Sequence, residues 1–236
     1  MDTITTIAFD FGGVLVRRIS DEFICHMAYA AGTDPERFVP ALWQFRNDYD
    51  AGTLDAQTYW RAVMDTAGSD PSRLHGTHEE TIDLLMHLDA LGWASVHPGM
   101  LRWISALRHA GFRRMIISNM AAETYDLIIR NSALLHYFER VVLSGWVGIN
   151  KPDRRIFEAA AADMQVDPAE MLFIDDLSHN VEGARAAGLH AVHFRDPESF
   201  AEELRERYPQ IPGVGLICSQ HTMTPGNAPW HALENQ

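Results

Sequence analysis

Residues 171–194 read MLFIDDLSHNVEGARAAGLHAVHF, and this stretch decides the fold. Met171 to Asp175 is a short apolar run that ends on two neighbouring carboxylates, Asp175 and Asp176. Helical texture follows over 178–187, and a second strand is expected over 189–194. The same alternation runs back along the chain. The pattern predicts helix 100–110, strand 113–118, helix 121–132, strand 140–143 and helix 153–164, and it predicts helix 197–207 after the last strand. Short, continuous apolar strands alternating with helices imply a parallel sheet covered on both faces. Thr3 to Asp10, TITTIAFD, is a β-branched strand that could bury nothing alone, so it is assigned to the same sheet.

Between that first strand and the rest lies a block of different texture. Apolar residues recur three or four apart in EFICHMAYA, RFVPALWQF, QTYWRAVM and TIDLLMHLDAL, punctuated by Gly32, Gly52 and Gly68, and nothing there reads as a strand. The expected organisation is therefore a Rossmann-like α/β core formed by 1–16 and 96–207, interrupted by an all-helical insertion over 17–95. From Tyr208 the chain is rich in Pro and Gly without periodicity, so 208–236 is expected to be an irregular tail, either wrapping the core or partly disordered.

With 236 residues, 47% of them hydrophobic, the chain can bury a substantial core, which excludes disorder as its main state. No apolar run approaches the ~20 residues that span a membrane. No basic region precedes the first strand, so no secretory signal is expected. Cys25 and Cys218 are too few for a disulfide scaffold, and the expectation is a cytoplasmic protein with reduced thiols, monomeric or homodimeric. A net charge of −13 argues against nucleic acid or an anionic membrane as the main partner, while leaving room for a local anion pocket. Eighteen of the 19 basic residues are arginine; the one lysine, Lys151, acquires weight from that isolation.

In an open parallel sheet, ligands bind beyond the carboxyl ends of the strands. Four strand ends here carry polar groups. Asp10 lies in FDFGGVL, ahead of Gly12 and Gly13. Ser118 and Asn119 end RRMIIS and open a helix, where hydroxyl and N–H groups suit an anion. Lys151-Pro152 precedes a helix that Asp153 could cap. Asp175 and Asp176 end MLFID. Hard carboxylate oxygens to hold Mg²⁺, with a lysine and a hydroxyl for a transferring anion, are what metal-assisted phosphoryl transfer requires.

In this order and at these positions, FDFGGVL, the serine of IISNM, NKPDRRIF and FIDDLSHNVEGARAAGLHAVHF, the chain resembles the haloacid dehalogenase-like hydrolases. Among them it is most similar to bacterial sugar-phosphate phosphatases and the phosphatase domain of soluble epoxide hydrolase. The insertion stands where that family carries a helical cap. The resemblance implies a magnesium-dependent phosphatase of a small phosphorylated metabolite, with Asp10 as nucleophile and an aspartyl-phosphate intermediate. It implies that Ser118, Asn119, Lys151 and the Gly12-Gly13 turn bind the phosphoryl group. It further implies that Asp10, the Gly12 carbonyl and Asp176 hold Mg²⁺, with Asp175 a ligand or just behind one, and that Asn180 orients the loop.

Gly12 departs from the pattern. The family's phosphatases carry an aspartate there as general acid and base, and glycine can be neither. The expected consequence is a substrate with an intrinsically good leaving group, a sugar 1-phosphate first, and rescue of poor leaving groups by Gly12→Asp if the side chain fits. A dehalogenase using Asp10 and a non-catalytic member are the alternatives that the glycine permits. Elsewhere, His75, His78 and Glu79 have the spacing of a zinc site but read better as a helix start. His179 falls inside the last motif, either touching the site or simply solvated. Trp43, Phe45, Tyr59 and Trp60 read as packing of the insertion, with one or two free to face the cleft. Arg46 and Tyr49, beside the Gly52 turn, are candidates for substrate contacts from the insertion, and Cys25 is expected in its core.

Overall fold

The computed structural model describes residues 3–218. Five strands, β1 (Thr6–Phe9), β2 (Arg113–Ser118), β3 (Arg140–Leu143), β4 (Met171–Asp175) and β5 (His190–His193), form one sheet in the order β3-β2-β1-β4-β5. All neighbours are parallel, with Phe9 in register with Ile116 on one side and Ile174 on the other. The strands lack polar alternation because both faces are covered. Ile7, Phe9, Ile116, Leu172, Ile174 and Val192 point to one side. They meet Trp103 and Leu107 of α6 (Pro98–His109) and Phe200 and Leu204 of α11 (Pro197–Arg207). The intervening Ala8, Met115, Ile117, Phe173 and Ala191 point to the other. There they meet α9 (Arg154–Met164) and α10 (Ser178–Ala186) through Ile156, Phe157, Val181 and Ala184.

The insertion comprises α1 (Asp21–Ala30), α2 (Pro35–Gln44), α3 (Arg46–Asp50), α4 (Ala56–Ala67) and α5 (His78–Gly92). These helices bury their apolar stripes against one another, around Phe38, Tyr59, Trp60, Met64 and Leu85. Side chains at their starts stop three of them cleanly. Ser20, Asp55 and Thr77 each accept a backbone N–H, and Thr77 with Glu80 completes a capping box. Entry and exit of the insertion run side by side, since Val16 bridges both Gly12 and Val96 and Arg17 N donates to Ser95 O at 2.7 Å. The short α3 also rests on the core. The Ser144 hydroxyl donates to Asp50 O at 2.5 Å, and Asn150 Nδ2 donates to Asn47 O at 2.7 Å.

Two local details differ from the expected pattern. The helix expected over 121–132 is shorter, α7 (Ala122–Ile128), and is followed by a 3-10 turn over Ala133–Tyr137. A one-turn helix, α8 (Ser144–Val147), follows β3. The tail over 208–218 is irregular and takes the wrapping form of the expectation: Tyr208, Ile211, Val214 and Ile217 are buried in the core cluster with α6 and α11. The indole N–H of Trp103 donates to Pro212 O at 3.0 Å. Those four residues recur every third position, a 3-10 spacing that the Pro and Gly content masks. The rest of the expected tail, 219–236, lies outside the described residues. Among the described residues no helix is long and apolar enough to cross a membrane.

Candidate active site

The chain leaves β1 for β2 and β3 on one side and returns to β4 on the other, so the strand order reverses beside β1. At that switch point a parallel sheet opens a crevice at its carboxyl edge. Asp10 follows β1 directly, and its N–H is still in the ladder, donating to Ile174 O at 2.8 Å. Asp175 ends β4 next to it. Ser118 ends β2 on the other side. Register therefore brings together residues more than 160 positions apart.

Lys151 reaches this point from the loop before α9. Its three donors meet three acceptors: Asp10 Oδ1 at 2.8 Å, Asp175 Oδ2 at 2.7 Å and Ile117 O at 3.0 Å. Burial pulls the ammonium pKa down, but Asp10 and Asp175 outweigh it and hold the group above its ordinary value. Asn119 fixes the lysine's backbone. Its side chain accepts from Lys151 N at 2.8 Å and donates to Lys151 O at 3.1 Å. Both polar atoms of the Asn119 side chain thus serve Lys151, where the sequence suggested contact with a phosphoryl group.

Asp175 is equally committed. Oδ1 accepts from Leu177 N at 2.8 Å, both oxygens accept from Asn180 Nδ2 at 3.1 Å, and Oδ2 accepts from Lys151. Asn180 accordingly orients this carboxylate. Asp10 differs: Oδ1 accepts from Phe11 N and Lys151, while Oδ2 accepts no hydrogen bond among the described residues. Burial pushes the Asp10 carboxyl up against the pull of Lys151, and Asp175 adds to the rise. Oxygens of Asp10, Asp175 and Asp176 all lie within 4.8 Å of one another, the one such metal-sized group among the described residues. Hard carboxylate donors in that compass suit a small divalent cation such as Mg²⁺. No such group forms at His75, His78 and Glu79, where Thr77 caps α5.

A cleft of about 910 Å³ opens over these residues, with the insertion as its far wall. Trp43, Val39 and Ile24 give that wall an apolar face, and Arg46 and Asp50 add charge. Arg46 is not free for a ligand. It pairs with Asp50 through Nε at 2.8 Å and with both oxygens of Asp89 at 3.0 and 3.1 Å. Tyr49 is buried and stacked on Tyr59, ring centroids 4.3 Å apart, so it belongs to the insertion's core with Trp60. Phe45 packs at the edge of that core, and Cys25 is only partly buried. His179 lines the cleft from an exposed position.

Two cleft residues escape sequence reasoning, Arg18 and Trp93. Nothing in the spacing of Trp93 within ALGWASV marks it, yet its ring stands against Gly12. A Cβ on Gly12 would lie 2.9 Å from Trp93 Cζ3 and 3.3 Å from Cε3. The expected rescue by Gly12→Asp therefore has no room, because the indole fills the space that a side chain there would need. Trp93 Nε1 is buried and has no hydrogen-bond partner among the described residues. Gly13 has a firmer requirement. Its φ is +79°, and a Cβ would lie 1.9 Å from Asp176 Oδ2, so only glycine lets the turn pass behind that carboxylate.

Comparison with known proteins matches residues 4–188 to the haloacid dehalogenase-like hydrolase family. A glyceraldehyde 3-phosphate phosphatase of Methanopyrus kandleri is 30% identical over 111 residues, 46% of this chain and 47% of that protein. The bifunctional epoxide hydrolase 2 of Rattus norvegicus is 27% identical over 145 residues, 58% of this chain and 26% of that one. The chain thus spans about half or less of the length of these curated relatives. A family enzyme from Bacteroides thetaiotaomicron, solved with magnesium and inorganic phosphate, superposes with a TM-score of 0.63 at 20% identity. That superposition covers 80% of this chain and 93% of the other, and at such identity it speaks for the fold.

Proposed function

Because the chain belongs to the haloacid dehalogenase-like hydrolases, we propose that it is a magnesium-dependent phosphatase of a small organic phosphate, with Asp10 as nucleophile. The observation that carries this reading is the division of labour at Asp10. Lys151 and Phe11 N hold Oδ1, Oδ2 is unengaged among the described residues, and Asp10 lines the cleft beside the other carboxylates. A carboxylate kept only for structure would have both oxygens satisfied, as Asp175 does.

In this reading Asp10 Oδ2 attacks phosphorus and the bond to the substrate oxygen breaks, leaving an acyl phosphate on Asp10 and a departing alkoxide or hemiacetal anion. Water then attacks the acyl phosphate at phosphorus, releasing phosphate and restoring Asp10. Lys151 steers the approach of the anion by its charge and keeps Asp10 oriented. The Ser118 hydroxyl and the Gly12 N–H would receive phosphoryl oxygens, whereas the Gly13 N–H expected to join them is spent on Val16 O at 2.8 Å. Asn119 acts through Lys151. Asp10, the Gly12 carbonyl and Asp176 would hold Mg²⁺, with Asp175 behind them anchoring Lys151. When bound, the ion would neutralise charge on the phosphoryl oxygens.

The organic part of the substrate then lies against Trp93, Trp43, Val39 and Ile24. These surfaces suit a neutral group with an apolar face, and a sugar ring meets that description. No acid stands at position 12, which favours leaving groups that depart as stable anions, such as an anomeric oxygen. The names of the curated relatives support a small phosphorylated metabolite in general. The dehalogenase alternative leaves Asp176 without a purpose, since halide displacement needs no cation. Turnover of an aryl phosphate, with and without Mg²⁺, tests the proposal. Magnesium-dependent phosphate release that vanishes in Asp10→Asn supports it, and halide release from a 2-haloacid without metal would replace it.

A further inference from the structure

We propose that Arg18 is the internal counter-ion of the cation site and is displaced from Asp176 when the divalent cation binds. This rests on reading the carboxylate cluster as a magnesium site. Arg18 Nε donates to Asp176 Oδ2 at 2.6 Å, across the mouth of the cleft. The two partners are held very differently. The Asp176 side chain is 11% exposed and packed against Gly13, where a Cβ would lie 1.9 Å from its Oδ2. The Arg18 side chain is 60% exposed and free to swing. Its backbone is not free, because the neighbouring Arg17 N is tied to Ser95 O at the root of the insertion.

Charge arithmetic explains why the pair exists and why it should break. Lys151 answers two of the three carboxylates, Asp10 and Asp175, and Arg18 answers the third. With all three ionised, the carboxylates and Lys151 sum to −2. A dication brings that to neutrality by itself, and a guanidinium kept at hydrogen-bond distance would then be repelled by the ion and would compete for the same oxygen lone pairs. With its arginine half 60% exposed, the pair is screened by solvent and releasing it costs little. The consequence is an ordered site. Before the cation arrives, Arg18 holds Asp176 in position and suppresses repulsion among the carboxylates. Afterwards it is released at the cleft mouth.

The test needs no substrate. Mg²⁺, and separately Mn²⁺, is titrated by calorimetry into the parent, Arg18→Ala, Arg18→Lys and Asp176→Asn proteins. Competition from an exposed pair predicts that Arg18→Ala binds Mg²⁺ about two- to fivefold more tightly than the parent, with Arg18→Lys between them and Asp176→Asn far weaker. In parallel, the ¹⁵N-resolved Nε–H signal of Arg18, assigned by its absence in Arg18→Lys, should shift or vanish as Mg²⁺ saturates the parent. Equal or weaker binding by Arg18→Ala overturns the proposal, weaker binding meaning that Arg18 supports the ligand rather than competing with the ion. An Nε–H signal unmoved at saturation also overturns it. If neither the parent nor Arg18→Ala binds a cation, the magnesium reading fails and this inference fails with it.

Discussion

Gly12→Asp restores the acidic residue that the family's phosphatases carry, and the structure requires it to fail unless Trp93 is cut back. The new Cβ would meet Cζ3 at 2.9 Å, closer than such contacts occur, and the carboxylate beyond it would enter the space of the ring. Trp93 is partly buried against the main core cluster, so it cannot leave without exposing apolar surface. Forcing extra atoms into such a contact costs about 1–3 kcal/mol. For a chain of this size each kcal/mol lowers Tm by roughly 2–4 °C, which predicts a fall of about 2–12 °C. A thermal melt of Gly12→Asp, Trp93→Ala and the double variant measures the coupling directly. The glycine substitution should cost at least about 1 kcal/mol less in the Trp93→Ala background than in the parent. The catalytic readout follows the same logic. Rates for phosphate esters graded by leaving-group pKa should fall steeply with pKa in the parent and in Gly12→Asp. The double variant gives the carboxylate room to protonate the departing oxygen, an effect worth roughly 10²–10⁴-fold on the poorest leaving groups. A single Gly12→Asp variant that melts like the parent and flattens the slope would refute the argument, because it would show that Trp93 does not hold that space.

Asp10→Asn should lower phosphate release by roughly 10³-fold or more while its melt stays near the parent's, since an amide oxygen is a poor nucleophile in a nearly isosteric side chain; retention of ordinary rates would remove Asp10 from the role. Lys151→Arg should lose most of the activity and about 1–3 kcal/mol of stability, because a forked guanidinium cannot take three oxygens at 2.7–3.0 Å around one nitrogen; near-parental rates would make the lone lysine an accident of composition. Asp50 supplies a pH effect. Burial pushes its carboxyl up to about 6, against the pull of Arg46, so the folded chain binds a proton there more readily than the unfolded one. That stabilisation is complete below about pH 4 and is lost as pH rises through 6. Relative to Asp50→Asn, the parent's stability in denaturant titrations should fall by about 2 kcal/mol between pH 4 and pH 7, and a difference independent of pH would contradict the assignment.

What the sequence discloses and what it hides divide along physical lines. The strands were legible because full burial on both faces leaves them continuously apolar, and Asp10, Ser118 and Asp175 were legible because each stands where such a run stops. Lys151 stood out as the one lysine of the chain and by its place before a helix, and its three contacts at the centre of the cluster explain why arginine would not serve there. Roles that depend on which atom of a side chain is free are different. Asn119 and Ser118 are adjacent in sequence, yet the amide is spent on the backbone of Lys151, and only the fold reveals that. Which residues of the irregular segment 208–218 anchor it was not legible, because every-third spacing is weak punctuation beside Pro and Gly, although it sets four side chains into the core. Trp93 and Arg18 form the extreme case. Each comes from one of the two short segments that join the insertion to the core, held side by side by the Val16–Val96 bridge, and each acquires its meaning from a partner, Gly12 or Asp176. An indole in place of an acid and a guanidinium in place of an ion are both substitutions by neighbours in space. They make the joints of the insertion, rather than its helices, the part of it that reaches Gly12 and Asp176.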